Sequence, residues 1–190
     1  MKMAESIPIS IPSYDFSVES YHKLTEFGVL KPTDKVELIE GKIIPMSPIR
    51  SPHASCVRRL GTILRKIFAD KAIISEQNPI TLGTHSEPEP DIAVLRFDEA
   101  NYEEAHPTEK DVLIAIEVSH TTQKYDRETK MPLFAQYGIP ESWIVDLKAK
   151  TIEVYSQPKN GEYQDKQTFK RGDVLVSGYF ERLLVGRVIR

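Results

Sequence analysis

The sequence predicts an α/β protein, and three observations predict it. Apolar residues recur at helical spacing in some stretches and alternate in others, these two periods follow one another along the chain, and two strand candidates each carry a lone carboxylate among apolar neighbours. With 40% hydrophobic and 28% charged residues the chain has globular composition, which sets aside the disordered, collagenous and membrane classes. Its 190 residues suit one domain with a substantial core, and no internal repeat or change of composition divides them. The expected organisation is an N-terminal arm over residues 1–15, where Pro alternates with Ile and Ser, followed by one domain over residues 16–190.

Ser17 to Phe27 reads as a short helix closed by Gly28, with Val18, Tyr21, Leu24 and Phe27 on one face. VELIEGKIIPM alternates around Gly41, so it predicts two short strands and a tight turn, with Glu40 at the bend. From Ser51 to Phe68 the stripe Val57, Leu60, Ile63, Leu64, Ile67 and Phe68 marks the strongest helix of the chain, with Pro52 in its first turn. Its other side carries Arg58, Arg59, Arg65 and Lys66, which reads either as a solvated face or as a phosphate-contacting surface. Three strand candidates follow, Ala72 to Leu82, Asp91 to Arg96 and Val112 to Ser119, and then a helix from about Gln123 to Tyr137 interrupted at Pro132 and ended by Gly138. The last third reads as hairpins and a short terminal segment.

A net charge of −3 gives no global attraction to nucleic acid, so a polyanion would have to be held by local cations or a metal ion. The lone Cys56 cannot form an intramolecular disulfide, and the longest uninterrupted apolar run, Val112 to Ile116, is too short to cross a bilayer. The expectation is therefore a cytoplasmic protein without a membrane partner.

The strands EPEPDIAVLR and DVLIAIEVSH carry the chemistry. Alternation in the second places Val112, Ile114, Ile116 and Val118 on one face and Leu113, Ala115, Glu117 and Ser119 on the other. In the first, Asp91, Ala93 and Leu95 share a face, so both strands set an acid beside small residues that leave room for a ligand. An ionised carboxylate among β-branched residues is costly unless paired or metal-bound. Lys130 on the following helix is the first candidate partner for Glu117, with Lys124, Arg127 and Lys42 as alternatives. The pairing reads either as a structural salt bridge or as part of a site in which Asp91 and Glu117 offer oxygen ligands to Mg²⁺ or Mn²⁺. Gln77 reads first as an ordinary strand residue. His53, His85 and His120 lack partners at zinc-ligand spacing, Ser119 and Cys56 lack a base to activate them, and no glycine-rich phosphate loop is present.

VELIEGKII, SPH, EPEPDIAVL and IAIEVSHTTQKYDRETKMPLFAQYGIPESWIVD together resemble the Uma2 family of restriction-endonuclease-like proteins, within the PD-(D/E)xK nuclease superfamily. The resemblance implies a central mixed β-sheet flanked by helices, here with additional C-terminal hairpins. It also implies that Pro90-Asp91 and Glu117 supply the metal ligands, while Ser119 stands where the superfamily usually has lysine. In the family a lysine on the next helix is taken to replace it, which points to Lys130, and the early acidic residue of the superfamily corresponds to Glu40. The implied activity is Mg²⁺- or Mn²⁺-dependent hydrolysis of DNA phosphodiesters; for such an activity the basic helix face of Arg58, Arg59, Arg65 and Lys66 is the expected backbone contact, and a symmetric homodimer the expected assembly for cutting both strands. The rival reading is a catalytically silent module that keeps the fold and binds nucleic acid or a protein partner.

Overall fold

The computed structural model describes residues 14–31 and 33–189, so the expected arm over residues 1–15 lies outside the described residues except for Tyr14 and Asp15. Helix α1 (Val18–Glu26) starts at Ser17, whose hydroxyl accepts the Ser20 N–H at 3.1 Å as an N-cap should. Strands β1 (Val36–Ile39) and β2 (Lys42–Pro45) form the expected hairpin. Its two turn residues, Glu40 (φ 47°) and Gly41 (φ 78°), are both left-handed, as a two-residue type I′ connection demands. A Cβ at Gly41 would also come 2.6 Å from the Cβ of Asp15.

Helix α2 (Ser51–Phe68) packs its apolar stripe, including Val57, Leu60, Leu64 and Phe68, onto one face of a six-stranded sheet. The sheet runs β3 (Ala72–Glu76), β4 (Ile92–Arg96), β5 (Val112–Ser119), β6 (Glu141–Asp146), β7 (Thr151–Lys159), β8 (Glu162–Lys170). Only the central pair β5–β6 is parallel. Strand β3 is shorter than the apolar pattern to Leu82 predicts, because the chain turns at Gln77 with φ 53°. A separate hairpin, β9 (Val174–Ser177) and β10 (Phe180–Leu184), lies on the α2 side, where Leu183, Val185 and Val188 join the core around Ile116 and Trp143. No helix among the described residues is long and apolar enough to cross a membrane.

One face assignment differs from the alternation pattern. The β4–β5 register passes from Val94↔Ile114 to Leu95↔Val112, which leaves Leu113 as the extra residue of a bulge. Val112 accordingly joins Ala93 and Ala115 in the core on the opposite side of the sheet, while Leu113 joins Ile114 and Ile116. Beyond the bulge the alternation holds, so Ala115 and Glu117 still share a face.

A parallel pair needs a crossover, and here it is helical. The expected helix from Gln123 to Tyr137 is made of α3 (Gln123–Tyr125), a π turn (Asp126–Lys130) and α4 (Met131–Gln136), with Gly138 at φ 72° ending it. Pro132 accounts for the wide turn: it donates no N–H, and its ring would press on the Glu128 carbonyl of a regular ladder. The crossover is pinned to the sheet by Arg127, which donates to both Glu153 oxygens at 3.0 and 2.9 Å and to Asp146 at 3.0 Å.

Burial alone would raise the Glu153 carboxyl, but donors from Arg127, Tyr155 and Lys166 bring it down from an ordinary 4.5 to about 2. A depressed acid contributes stability that is complete above its unfolded value and is lost as pH falls through its folded one. Between pH 4.5 and about 2 the wild type should therefore lose stability more steeply than Glu153→Gln. Urea midpoints across that window check this, and parallel curves would show that the Arg127 cluster does not hold the crossover.

Candidate functional site

A cleft of about 560 Å³ opens at the C-terminal end of β5, between the β1–β2 hairpin, the first turn of α2 and the crossover. Strand pairing builds its base. The register Ile92↔Ile116 sets Asp91, one residue before β4, opposite Glu117, and cross-strand neighbours share a face. Asp91 also ends the ladder: its Oδ2 accepts the Val118 N–H at 2.8 Å, taking the place of a backbone carbonyl, and accepts from His53 Nε2 at 2.9 Å. Its Oδ1 takes no hydrogen bond from the described residues.

The crossover then brings Lys130 back over the end of β5. Its Nζ lies 2.9 Å from Glu117 Oε1 and 2.9 Å from Glu37 Oε2, with all three side chains at least nine-tenths buried. Glu37 is further held by the Glu89 backbone N–H at 3.2 Å and the Tyr125 hydroxyl at 3.3 Å. Burial works to lower the Lys130 ammonium, but Glu117 and Glu37 outweigh it and hold the value above that of an ordinary lysine. Burial pushes Glu117 up; Lys130 opposes this, while Asp91, Asp126 and Glu37 reinforce it. The triad is thus one cation short of neutralising its carboxylates. The wider cleft repeats the imbalance, since six carboxylates and three Lys or Arg side chains line it.

Ser119 explains how the lysine reaches this place from a helix. Fully buried, it donates to Asp126, the first residue of the π turn, which also accepts the Thr122 hydroxyl at 2.8 Å. This contact fastens the start of the crossover to the end of β5, one turn before Lys130. Ser119 on β5 is thus the anchor for a lysine that the crossover supplies.

The structure brings Asp91, Glu117 and Lys130 together and leaves Glu40 outside. Glu40 is exposed in its turn, where its backbone N–H donates to Ser86, and the acid that reaches the cleft from this hairpin is Glu37. The reason is geometric: Glu40 occupies a left-handed turn position, whereas Glu37 lies within β1 with its side chain buried. Glu37 was legible by the signal that singles out Glu117, a carboxylate inside an apolar strand. His53 carries no such signal, because its role depends on where α2 begins relative to Asp91. Its Nδ1 is buried without a hydrogen-bond partner. Gln77 lines the same cleft. Cys56 is buried, which pushes its thiol up to about 11 and makes it inert as a nucleophile.

A bound divalent ion fits this donor set. Asp91 and Glu117 could offer it hard oxygen donors from one sheet face in a carboxylate-rich cleft, the kind of setting in which Mg²⁺ keeps several waters. No group of three His, Cys, Asp or Glu side chains among the described residues forms a complete cage, so water and substrate oxygens would fill the remaining positions. Of the four basic residues predicted on α2, Arg58 and Lys66 are exposed, Arg59 donates to the Val188 carbonyl at 2.8 Å, and Arg65 is paired with Glu76 at 2.7 Å.

A family model described as "Putative restriction endonuclease" (Uma2) matches residues 18–183. Among solved structures, this fold is similar to that of a chain described as "a putative nuclease belonging to DUF820" from Anabaena variabilis ATCC 29413. The match has a TM-score of 0.70 and 18% sequence identity and covers 91% of this chain and 97% of that one, a likeness of fold. No curated protein matches.

Removing one member of a buried ionic group leaves the others uncompensated, so Lys130→Met should cost about 3–5 kcal/mol of stability. Glu40→Gln should leave the urea midpoint where it is. A Lys130→Met protein as stable as wild type would show that Glu37 and Glu117 do not depend on the ammonium.

Proposed function

The chain belongs to the Uma2 family of restriction-endonuclease-like proteins, and on that premise we propose that it is a divalent-metal-dependent endonuclease hydrolysing phosphodiester bonds in DNA. The observation that carries the reading is the convergence of Asp91, Glu117 and Lys130 at the end of one strand, in a cleft whose carboxylates outnumber its cations. Such a cleft repels a phosphate diester unless a metal ion enters with it.

Asp91 and Glu117 would hold the ion. When bound, Mg²⁺ or Mn²⁺ offsets charge growing on the phosphoryl oxygens and lowers the pKa of a coordinated water. Asp91 is oriented for this task, because Val118 N–H and His53 occupy Oδ2 and leave Oδ1 available. Lys130 has three N–H donors and spends two on Glu117 and Glu37. Held as an ammonium by those carboxylates, it serves as a fixed positive charge toward the phosphoryl oxygens. Glu37 positions it, and Ser119 with Asp126 fixes the helix that carries it. A fold kept for binding alone is the second reading, favoured by the direct closure of Lys130 onto Glu117.

The test joins binding and chemistry. Mg²⁺ or Mn²⁺ should raise the melting temperature, by an amount equivalent to about 2.7 kcal/mol at a hundredfold excess over the dissociation constant, and should support nicking of supercoiled plasmid. Asp91→Asn and Glu117→Gln should lose both effects while remaining folded, and Lys130→Gln should keep metal binding but lose nicking. A folded wild type that neither binds metal nor nicks DNA would leave the binding module as the better account.

A further inference from the structure

A second groove of about 830 Å³ runs between the solvent side of α2 and the C-terminal segment from β10 to Arg187. Arg58, Arg59 and Lys66 line it from the helix, Arg182 and Arg187 from the C-terminal segment, and no carboxylate lines it. None of the five forms an ion pair among the described residues. In a chain of net charge −3 this is a marked segregation of charge, and it faces away from the acidic cleft: His53 points from α2 to the cleft, while the groove residues lie on the outer side of the same helix.

We infer that this groove is a track for a nucleic-acid backbone, separate from the cleft, which supplies the affinity for phosphate that the cleft cannot. The inference rests on the nuclease reading for the identity of its occupant. From Arg58 to Lys66 the helix rises about 12 Å, a length over which the axis of duplex DNA passes three to four phosphates of each strand at about 3.4 Å apiece. Leaving five cations unpaired in one concave strip costs self-repulsion that a polyanion relieves. A second copy of this chain is a poor occupant, since a two-fold contact through this face would set cation against cation. Arg65, one of the four helix residues predicted to touch phosphate, lies outside the groove and is committed to Glu76. The two C-terminal arginines, which helical periodicity cannot reveal, complete the strip. Arg59 also ties the C-terminal segment to α2 by donating to the Val188 carbonyl, and donates to the Ser55 hydroxyl at 3.2 Å, so it is left out of the substitutions below.

The experiment measures binding of a duplex about two helical turns long, in EDTA so that cleavage plays no part, as a function of salt. The proteins compared are wild type, the quadruple variant Arg58→Gln, Lys66→Gln, Arg182→Gln, Arg187→Gln, and the control Arg65→Gln. Each lost phosphate contact should take about 0.9 from the slope of log affinity against log salt. The quadruple variant should therefore bind the duplex at least tenfold more weakly with a clearly shallower slope, while Arg65→Gln matches wild type. An unchanged slope in a folded quadruple variant overturns the groove and leaves the nuclease reading intact, which Asp91→Asn tests separately. A wild type that binds duplex through the groove yet never nicks with metal keeps the groove and overturns the nuclease. Wild-type binding to phosphatidylserine vesicles without binding to duplex overturns the nucleic-acid track in favour of a membrane surface.

Discussion

One buried ammonium between two buried carboxylates governs the architecture of the cleft. Lys130, Glu37 and Glu117 come from three separate elements, the crossover, the β1–β2 hairpin and the central strand β5, and none can be dehydrated alone at tolerable cost. Closing the triad therefore requires the hairpin to dock, the crossover to return at the right height and β5 to end where it does. The Ser119–Asp126 contact and the Arg127 cluster serve that placement from either side of the lysine. Such a group contributes little net stability compared with an apolar filling, so its place in the cleft is better understood through the charge it presents than through the energy it adds.

The proposed function sets two electrostatic tasks against each other, and the molecule keeps the charges suited to each apart. A site that concentrates carboxylates to hold a cation repels the polymer on which it acts, and a surface that attracts the polymer would hold its own lysines and arginines away from that cation. Here the acids gather at the C-terminal end of β5 and the unpaired cations on the far side of α2, with one helix contributing to both. Net charge summed over the chain hides this division.

Much of the fold was legible because period and burial agree. The α2 stripe, the β1–β2 turn, the acid just before β4 and the acid of β5 are local patterns, and the structure keeps all of them. The failures are non-local or phase errors. A bulge at Leu113 reverses the face of Val112, and nothing in VLIAI marks where an extra residue will sit. The resemblance pointed to Glu40, whereas the hairpin sends Glu37 into the cleft and leaves Glu40 in the left-handed turn. The partnership of His53 with Asp91 and the sharing of one groove by Arg58 and Arg182 depend on packing between segments far apart in sequence. That Lys130 would be the partner of Glu117 was only the first of four candidates by spacing; the crossover geometry decides among them.

The π turn that carries Lys130 places a limit on the number of residues in the crossover as well as on their identity. Deleting one residue there would restore an ordinary helical turn and rotate everything on one side of the cut by about 100° about the axis. Either Asp126 would leave Ser119 or Lys130 would leave its carboxylates, whichever end stayed fixed. Substitution of the exposed Lys124 or Glu128 leaves these contacts in place, whereas the loss of one residue between them breaks a contact at one end of the turn even where every other side chain is kept.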